Sequence, residues 1–253
     1  MTLIALYANQ DFAVVAADRR ITYPDRSIYE NDRTKLLAWG SGLVFGFTGQ
    51  ALLVRGREQV PTLEWLAHEI SSRETAGSVD FNAIAEKLDR QRFLASRRLA
   101  IGAVGFVSGN PIWLLISNMH NQEGVTETPA RRFNLVHGSF NKEFFKTLGG
   151  NLSQTARDLL ESRMPSVRDQ PEAVRELLAG AIERSSNALV GDQALTVSFY
   201  RDPLRQQGFI CDLVTPGMNR PGVLTDFAMP LFVNAGAVTT MPPQQLRRAG
   251  RYT

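Results

Sequence analysis

From Thr2 to Phe47 the apolar residues come in four short runs, "TLIALYA", "FAVVAAD", "RTKLLAW" and "GLVFGFT", separated by Asn9-Gln10-Asp11, by "YPDRSIYEND" and by Gly40-Ser41-Gly42. Runs of this length with period two and turn residues between them read as strands joined by hairpins. Helical spacing takes over further on. "TLEWLAHEISSRE" is one helix, read as beginning in "QALLVRGREQV" and kinking at Pro61. "VDFNAIAEKLDRQRFLASRR" is the next, with Phe81, Ile84, Ala85, Leu88 and Phe93 on one face. A second strand block covers about residues 101–107, 112–117 and 132–136. It is followed by a second helix pair in "NKEFFKTLGGNLSQTARDLLESRM" and "EAVRELLAGAIERSSNAL", then by strands in "ALTVSFYRD" and "GFICDLVT".

Helices that arrive in pairs between hairpins, instead of alternating with strands, argue against a doubly wound parallel sheet. They predict an α+β fold in which two antiparallel sheets pack face to face with a helix pair outside each. At 253 residues and 43% hydrophobic the chain can bury one substantial core. We place that core at residues 1–202 and read 203–253, which Pro and Gly punctuate, as an extension of the same domain with a mobile last dozen residues.

The net charge is +3 and only four of the 28 basic residues are lysines, so the excess is mild and dispersed, which predicts no nucleic-acid partner. The longest uncharged stretch, "LAIGAVGFVSGNPIWLLIS", approaches membrane-spanning length, but "SGNP" at its middle is a turn signal. It reads as a hairpin, and no membrane association is expected. The single cysteine, Cys211, allows no internal disulfide or cysteine-rich zinc site and fits a reducing compartment, which predicts the cytoplasm. Asp11 interrupts the first apolar run and no basic stretch precedes it, unlike a secretory signal.

His68, His120 and His137 lack ligand-like spacing, and neither a Walker loop nor an H-E-x-x-H or G-x-S-x-G motif occurs, so no metal or cofactor is predicted. "GSGLVFG" reads as a hairpin turn. "RQRFLASRR" (residues 90–98) carries arginines on several faces of a helix end. It fits a solvated terminus favoured by the helix dipole, with an anion or nucleic-acid patch as the alternative.

Thr2, Asp18 and Lys35 differ in kind. A threonine hydroxyl is a poor nucleophile until a base takes its proton, and a free α-amine on the same residue, with a reference pKa of about 7.7–8, can serve. Loss of Met1 would supply that amine. A neighbouring ammonium, with Lys35 the candidate, would favour both the neutral amine and a developing alkoxide. A buried lysine needs a carboxylate partner, and Asp18 closes the second run. By residue type alone, the same three also fit a strand-edge Thr, a surface Asp and a surface Lys.

The opening of the chain resembles the proteasome β-subunits and the related HslV-type peptidases, the threonine members of the N-terminal-nucleophile hydrolases. The resemblance rests on Thr2, on "VVAADRRIT" with Asp18 sixteen residues after Thr2, on "RTKLL" with Lys35, and on "VFGFTGQA" closing the next strand. Lys35 falls one residue beyond its usual place, an insertion that the "YPDRSIYEND" loop accommodates. Strand and helix order down to about residue 202 agrees with the family's four-layer αββα sandwich.

The resemblance implies a self-compartmentalised threonine peptidase acting on peptides or unfolded proteins. Thr2 is its nucleophile and base, Lys35 its activator, Asp18 the partner of Lys35, and the amide of Gly49 or a neighbour its oxyanion donor, with Gly46 permitting close approach. Ile21, Thr22, Phe45 and Thr48 fall at substrate-binding positions. Thr22 would pair its backbone with an extended substrate, and Phe45 would reshape the first specificity pocket. For the family's further catalytic serine this chain offers Ser139 in "HGSF". In "ERSSNALVGD" Ser185 stands where an aspartate belongs, and Ser186 and Asp192 both remain as substitutes. The resemblance further implies homo-oligomeric stacked rings and an ATPase unfoldase partner. It also leaves room for a catalytically degenerate ring subunit or an amide hydrolase of the same fold.

Overall fold

Alternation on the first strand decides how the chain packs. In the computed structural model, β1 (Leu3–Asn9) sends Leu3, Ala5 and Tyr7 to one side and Ile4, Leu6 and Ala8 to the other, and all six are buried. Both faces of the strand are covered, so the run is continuously apolar while its parity still sorts side chains between two cores. The structure describes residues 2–22, 29–30, 34–40, 42–71, 79–121, 124–125, 128–201, 209–214, 231–234 and 237–240.

In chain order, β1 is followed by β2 (Phe12–Asp18), β3 (Ile21–Thr22), β4 (Tyr29–Glu30), β5 (Leu36–Trp39), β6 (Leu43–Gly49), β7 (Leu52–Arg55) and β8 (Glu58–Pro61). Helices α1 (Thr62–Ser71) and α2 (Phe81–Asp89) come next. Then follow β9 (Leu99–Val107), β10 (Asn110–Ser117), β11 (His120–Asn121), β12 (Gly124–Val125), β13 (Asn134–Ser139) and β14 (Glu143–Gly149). Helices α3 (Gln154–Val167) and α4 (Pro171–Arg184) lead to β15 (Ala194–Tyr200), β16 (Phe209–Val214), β17 (Leu231–Asn234) and β18 (Ala237–Thr240). The result is a mixed α+β fold. One sheet has the order β14-β1-β2-β15-β16 and the other β13-β10-β9-β6-β5-β17-β18, with every pair antiparallel except β5 and β17.

Three hydrophobic clusters follow from strand parity. Leu3, Ala5 and Tyr7 join Val14 and Ala16 against Val174, Leu178 and Ile182 of α4. Ile4, Leu6 and Val15 of the first sheet meet Leu36, Ala38, Val44 and Val104 of the second. Leu37, Trp39, Phe45 and Phe47 join Leu63, Leu66 and Ile70 of α1 and Ile84 and Leu88 of α2. Each fully buried aliphatic side chain contributes about 1.5–3 kcal/mol, so a slip of one residue in β1 or β5 would exchange the faces and misplace every one of them.

Three sequence expectations change. Residues 52–61, read as the start of a kinked helix, form the hairpin β7–β8, turned at Gly56 (φ +64°). Helix α1 begins only after Pro61, with Thr62 donating its N–H to Ala51 O and its hydroxyl to Gln50 O. The segment 143–149, read as helix, is β14, because its backbone completes the ladder against β1 from Leu3↔Gly149 to Asn9↔Glu143. Helix α2, capped by Asp80 on the amides of Asn82 and Ala83, stops at Asp89, so Phe93 sits in a short 3₁₀ turn and is exposed.

The "SGNP" segment is the predicted hairpin, β9–β10, turned at Ser108 (φ +50°) and Gly109 (φ +77°). Among the described residues no helix is long and apolar enough to cross a membrane. The last dozen residues lie outside the described ones.

Gly102 lies at a close approach of the two sheets. A Cβ there would lie 2.5 Å from Leu148 Cδ1 and 2.9 Å from Leu6 Cδ1. Gly102→Val should therefore lower stability by about 1–3 kcal/mol, read as a fall in the urea midpoint at unchanged m-value.

Candidate active site

The β1–β2 register pairs Ile4 with Ala17, which puts the start of β1 across from Asp18 at the end of β2. Leu3 N–H donates to Asp18 Oδ1 at 2.7 Å. Asp18 Oδ2 accepts from Lys35 Nζ at 3.0 Å, from Arg20 N–H at 3.1 Å and from Gly191 N–H at 3.2 Å. Asp18 and Lys35 are 0% and 1% exposed, so this is an ion pair fully withdrawn from water. Four donors on one carboxylate offset the cost of burying it. Lys35 Nζ also donates to the Arg20 carbonyl. Burial pushes the Lys35 ammonium down to about 8 despite the opposing pull of Asp18, and Arg20 adds to the lowering.

Thr2 is buried one residue from this carboxylate. Its carbonyl oxygen is clamped by Gly150 N–H at 2.8 Å and by Thr48 Oγ1 at 3.1 Å. Thr2, Asp18, Lys35, Thr48 and the adjoining Gly49 therefore surround the start of β1. Parity explains Thr48: on β6, Val44 faces the first sheet, Gly46 lies against Ile4, and Thr48 reaches Thr2. Phe45 has the opposite parity. It is fully buried beneath α1 and α2, its ring 6.3 Å from that of Phe81, and not beside Thr2. Gly49 (φ +101°) must be glycine, because a Cβ would fall 2.0 Å from Arg98 O. Ile21 and Thr22 form β3, paired with Glu30 and Tyr29.

Ser139 is not brought to this site. Ile112 pairs with both Ser139 and Gly105, and Gly105 pairs with Leu43, whereas Gly49 pairs with Leu99. Ser139 thus lies three strands from β6, about 14 Å sideways, and at its opposite end, about 20 Å along it. The turn that does meet Thr2 is Gly149-Gly150. A Cβ on Gly149 (φ +85°) would lie 1.9 Å from Thr2 O, so the backbone passes there without room for a side chain.

From the 185–193 loop it is the Gly191 amide that reaches Asp18. Ser185 Oγ donates to Ala181 O at 2.8 Å, Ser186 Oγ donates to Val190 O at 3.3 Å, and Asp192 is exposed. Arg20 Nη1 on Asn187 O, at 2.6 Å, holds this loop. Sequence reasoning missed Gly149, Gly150 and Gly191. The Gly-Gly pair in "TLGGN" was the available signal, and Gly191 carried none beyond its residue type.

No protein-family model matches the chain, and no curated protein does. Solved structures do match. The helical assembly of the Anbu complex from Pseudomonas aeruginosa superposes with a TM-score of 0.54 at 16% identity, over 86% of this chain and 88% of that one. Anbu, the ancestral beta-subunit, from Yersinia bercovieri gives 0.52 at 14%, over the same shares. This chain has the Anbu fold. Anbu from Hyphomicrobium sp. strain MC1 agrees, with a TM-score of 0.51 at 16% identity over 86% of this chain and 88% of that one.

Asp18→Asn should show how much rests on the carboxylate. It leaves the buried Lys35 without its counter-charge and should cost about 3–5 kcal/mol in chemical denaturation. A loss below about 1 kcal/mol would mean that the pair is not buried in solution.

Proposed function

We propose that the chain is a proteasome-like N-terminal-nucleophile hydrolase that cleaves peptide bonds through Thr2, exposed as the N-terminus by removal of Met1. The observation that carries this reading is the buried Asp18–Lys35 pair, whose carboxylate also holds the amide of Leu3, the residue next to Thr2. Such a buried pair has little structural use that two apolar side chains of similar volume would not serve as well.

In this reading Thr2 Oγ attacks the scissile carbonyl while the Thr2 amine takes its proton, and the Lys35 ammonium stabilises the developing alkoxide. The amide of Gly49 donates to the tetrahedral oxyanion. The amine product leaves with the proton, and water then hydrolyses the acyl ester and restores Thr2. An extended substrate adds its backbone to β3 at Ile21–Thr22.

The three hydrophobic clusters support four layers, with α1 and α2 on the second sheet and α3 and α4 on the first. The helical assembly of the Anbu complex from Pseudomonas aeruginosa supports self-association of this chain. We extend the proposal to homo-oligomeric rings or filaments in the cytoplasm, served by an ATPase unfoldase.

One observation favours a second reading, a degenerate subunit with a structural role: the turn beside Thr2 is Gly149-Gly150, which carries no hydroxyl, and Ser139 is remote. Intact mass after incubation with a peptide epoxyketone, which reacts with both the hydroxyl and the free amine of an N-terminal Thr, separates the two. The peptidase reading expects a mass lacking Met1 and carrying one adduct, and no adduct on Lys35→Ala while its sedimentation is unchanged. Met1 retained without an adduct, in a chain that still assembles, supports the structural subunit.

The pH dependence follows from the two amines. Thr2 must be neutral, above its reference value of about 7.7–8, and Lys35 must be charged, below about 8. The inactivation rate should therefore be bell-shaped, with its maximum close to pH 8. A rate that climbs steadily to about pH 10 would remove the ammonium from the mechanism.

A further inference from the structure

Four arginines from two segments converge far along the chain from Thr2. Arg90 follows α2, Arg92 opens the 3₁₀ turn, and Arg131 and Arg132 lead into β13. Together with Asp89 they line a cavity of about 560 Å³. Phe133 N–H donates to Asp89 Oδ1 at 2.7 Å and its ring joins the core cluster of Ile84 and Leu88, which ties the 130–133 segment to the end of α2. Arg90 lies 3.7 Å from Glu86, and both are largely exposed. Among the described residues no carboxylate forms an ion pair with Arg92, Arg131 or Arg132.

Four guanidinium groups against the one carboxylate of Asp89 leave a positive field in the concavity, which raises the local concentration of anions. The planar guanidinium fork matches phosphate oxygens two at a time. The volume lies in the range of small-molecule sites. A second cavity of about 480 Å³ shares Arg90 and Arg92 and is lined also by Phe93, Val54, Arg55 and the Lys87–Glu69 ion pair. Phe93 is 38% exposed. The two cavities thus share Arg90 and Arg92, and Phe93 is the exposed ring that lines the second.

We propose that this is a binding site for a small oligophosphate, with the phosphate chain among Arg90, Arg92, Arg131 and Arg132 and any attached organic group against Phe93. The site is independent of Thr2 chemistry. The ligand chemistry is shared by inorganic oligophosphates and nucleoside triphosphates, and Phe93 distinguishes them.

The test is calorimetric titration of the full chain with sodium tripolyphosphate and, separately, with ATP, at about 0.15 M salt. Both should bind saturably, and Arg131→Gln combined with Arg132→Gln should weaken both about tenfold or more. Arg163→Gln, on the exposed side of α3, should change neither, and thermal melting should confirm that all variants fold. Tighter binding of ATP that Phe93→Ala abolishes assigns the site to a nucleotide. Equal affinities indifferent to Phe93→Ala assign it to the phosphate chain alone. The proposal is overturned by no saturable binding up to about 1 mM, by binding that survives the double substitution, or by hexaglutamate binding as tightly as tripolyphosphate, which would make it an acidic-peptide site.

Discussion

The carboxylate of Asp18 is the interaction on which the site depends. It joins four pieces of chain that are distant in sequence: the start of β1 through Leu3 N–H, the exit of β2 through Arg20 N–H, the approach to β5 through Lys35, and the 185–193 loop through Gly191 N–H. Each donor alone is an ordinary hydrogen bond. Together they make the burial of a full charge tolerable, because both carboxylate oxygens accept hydrogen bonds. The same enclosure keeps Lys35 near the boundary of its charged state, since burial weighs against the ammonium while Asp18 supports it. The lysine is therefore sensitive to charge that develops nearby, which is the property the proposed mechanism uses.

Two-faced burial explains why the site can be rigid. β1, β2, β5 and β6 are covered on both sides, so their registers are held by packing as well as by ladders. Thr48 reaches Thr2 only because Val44 and Gly46 precede it on the same face, and Phe45 is drawn to the opposite core by the same rule. The site is a consequence of two sheets meeting face to face at their strand ends.

Residues beyond about 202 take part in those sheets. β16 extends the first sheet beside β15, and β17 joins the second by a parallel pairing with β5, with β18 outside it. These strands cover edges of β15 and β5 that would otherwise present open backbone.

Much of this was legible in local pattern. Period two marked β1, β2, β5 and β6, helical spacing marked α2 and α4, and the residue chemistry of Thr2, Asp18 and Lys35 selected the three side chains worth watching. Local pattern failed where a partner decided the conformation. Residues 143–149 carry too few alternating apolar positions to declare a strand, and they become β14 because β1 has an open edge. Residues 52–61 are apolar enough for a helix, and they fold back because Gly56 turns the chain at their middle and Pro61 ends the second strand. Ser139 looked usable by its motif and lies at the wrong end of an edge strand, while Gly149-Gly150 and Gly191 contribute only backbone and so leave almost no trace in residue type. The sequence by itself determined the α+β class and, by its resemblance, pointed to Asp18 and Lys35 as partners. Only the tertiary structure decided which backbone amides surround that pair, because a buried charge is satisfied by whichever donors the packing of distant segments delivers.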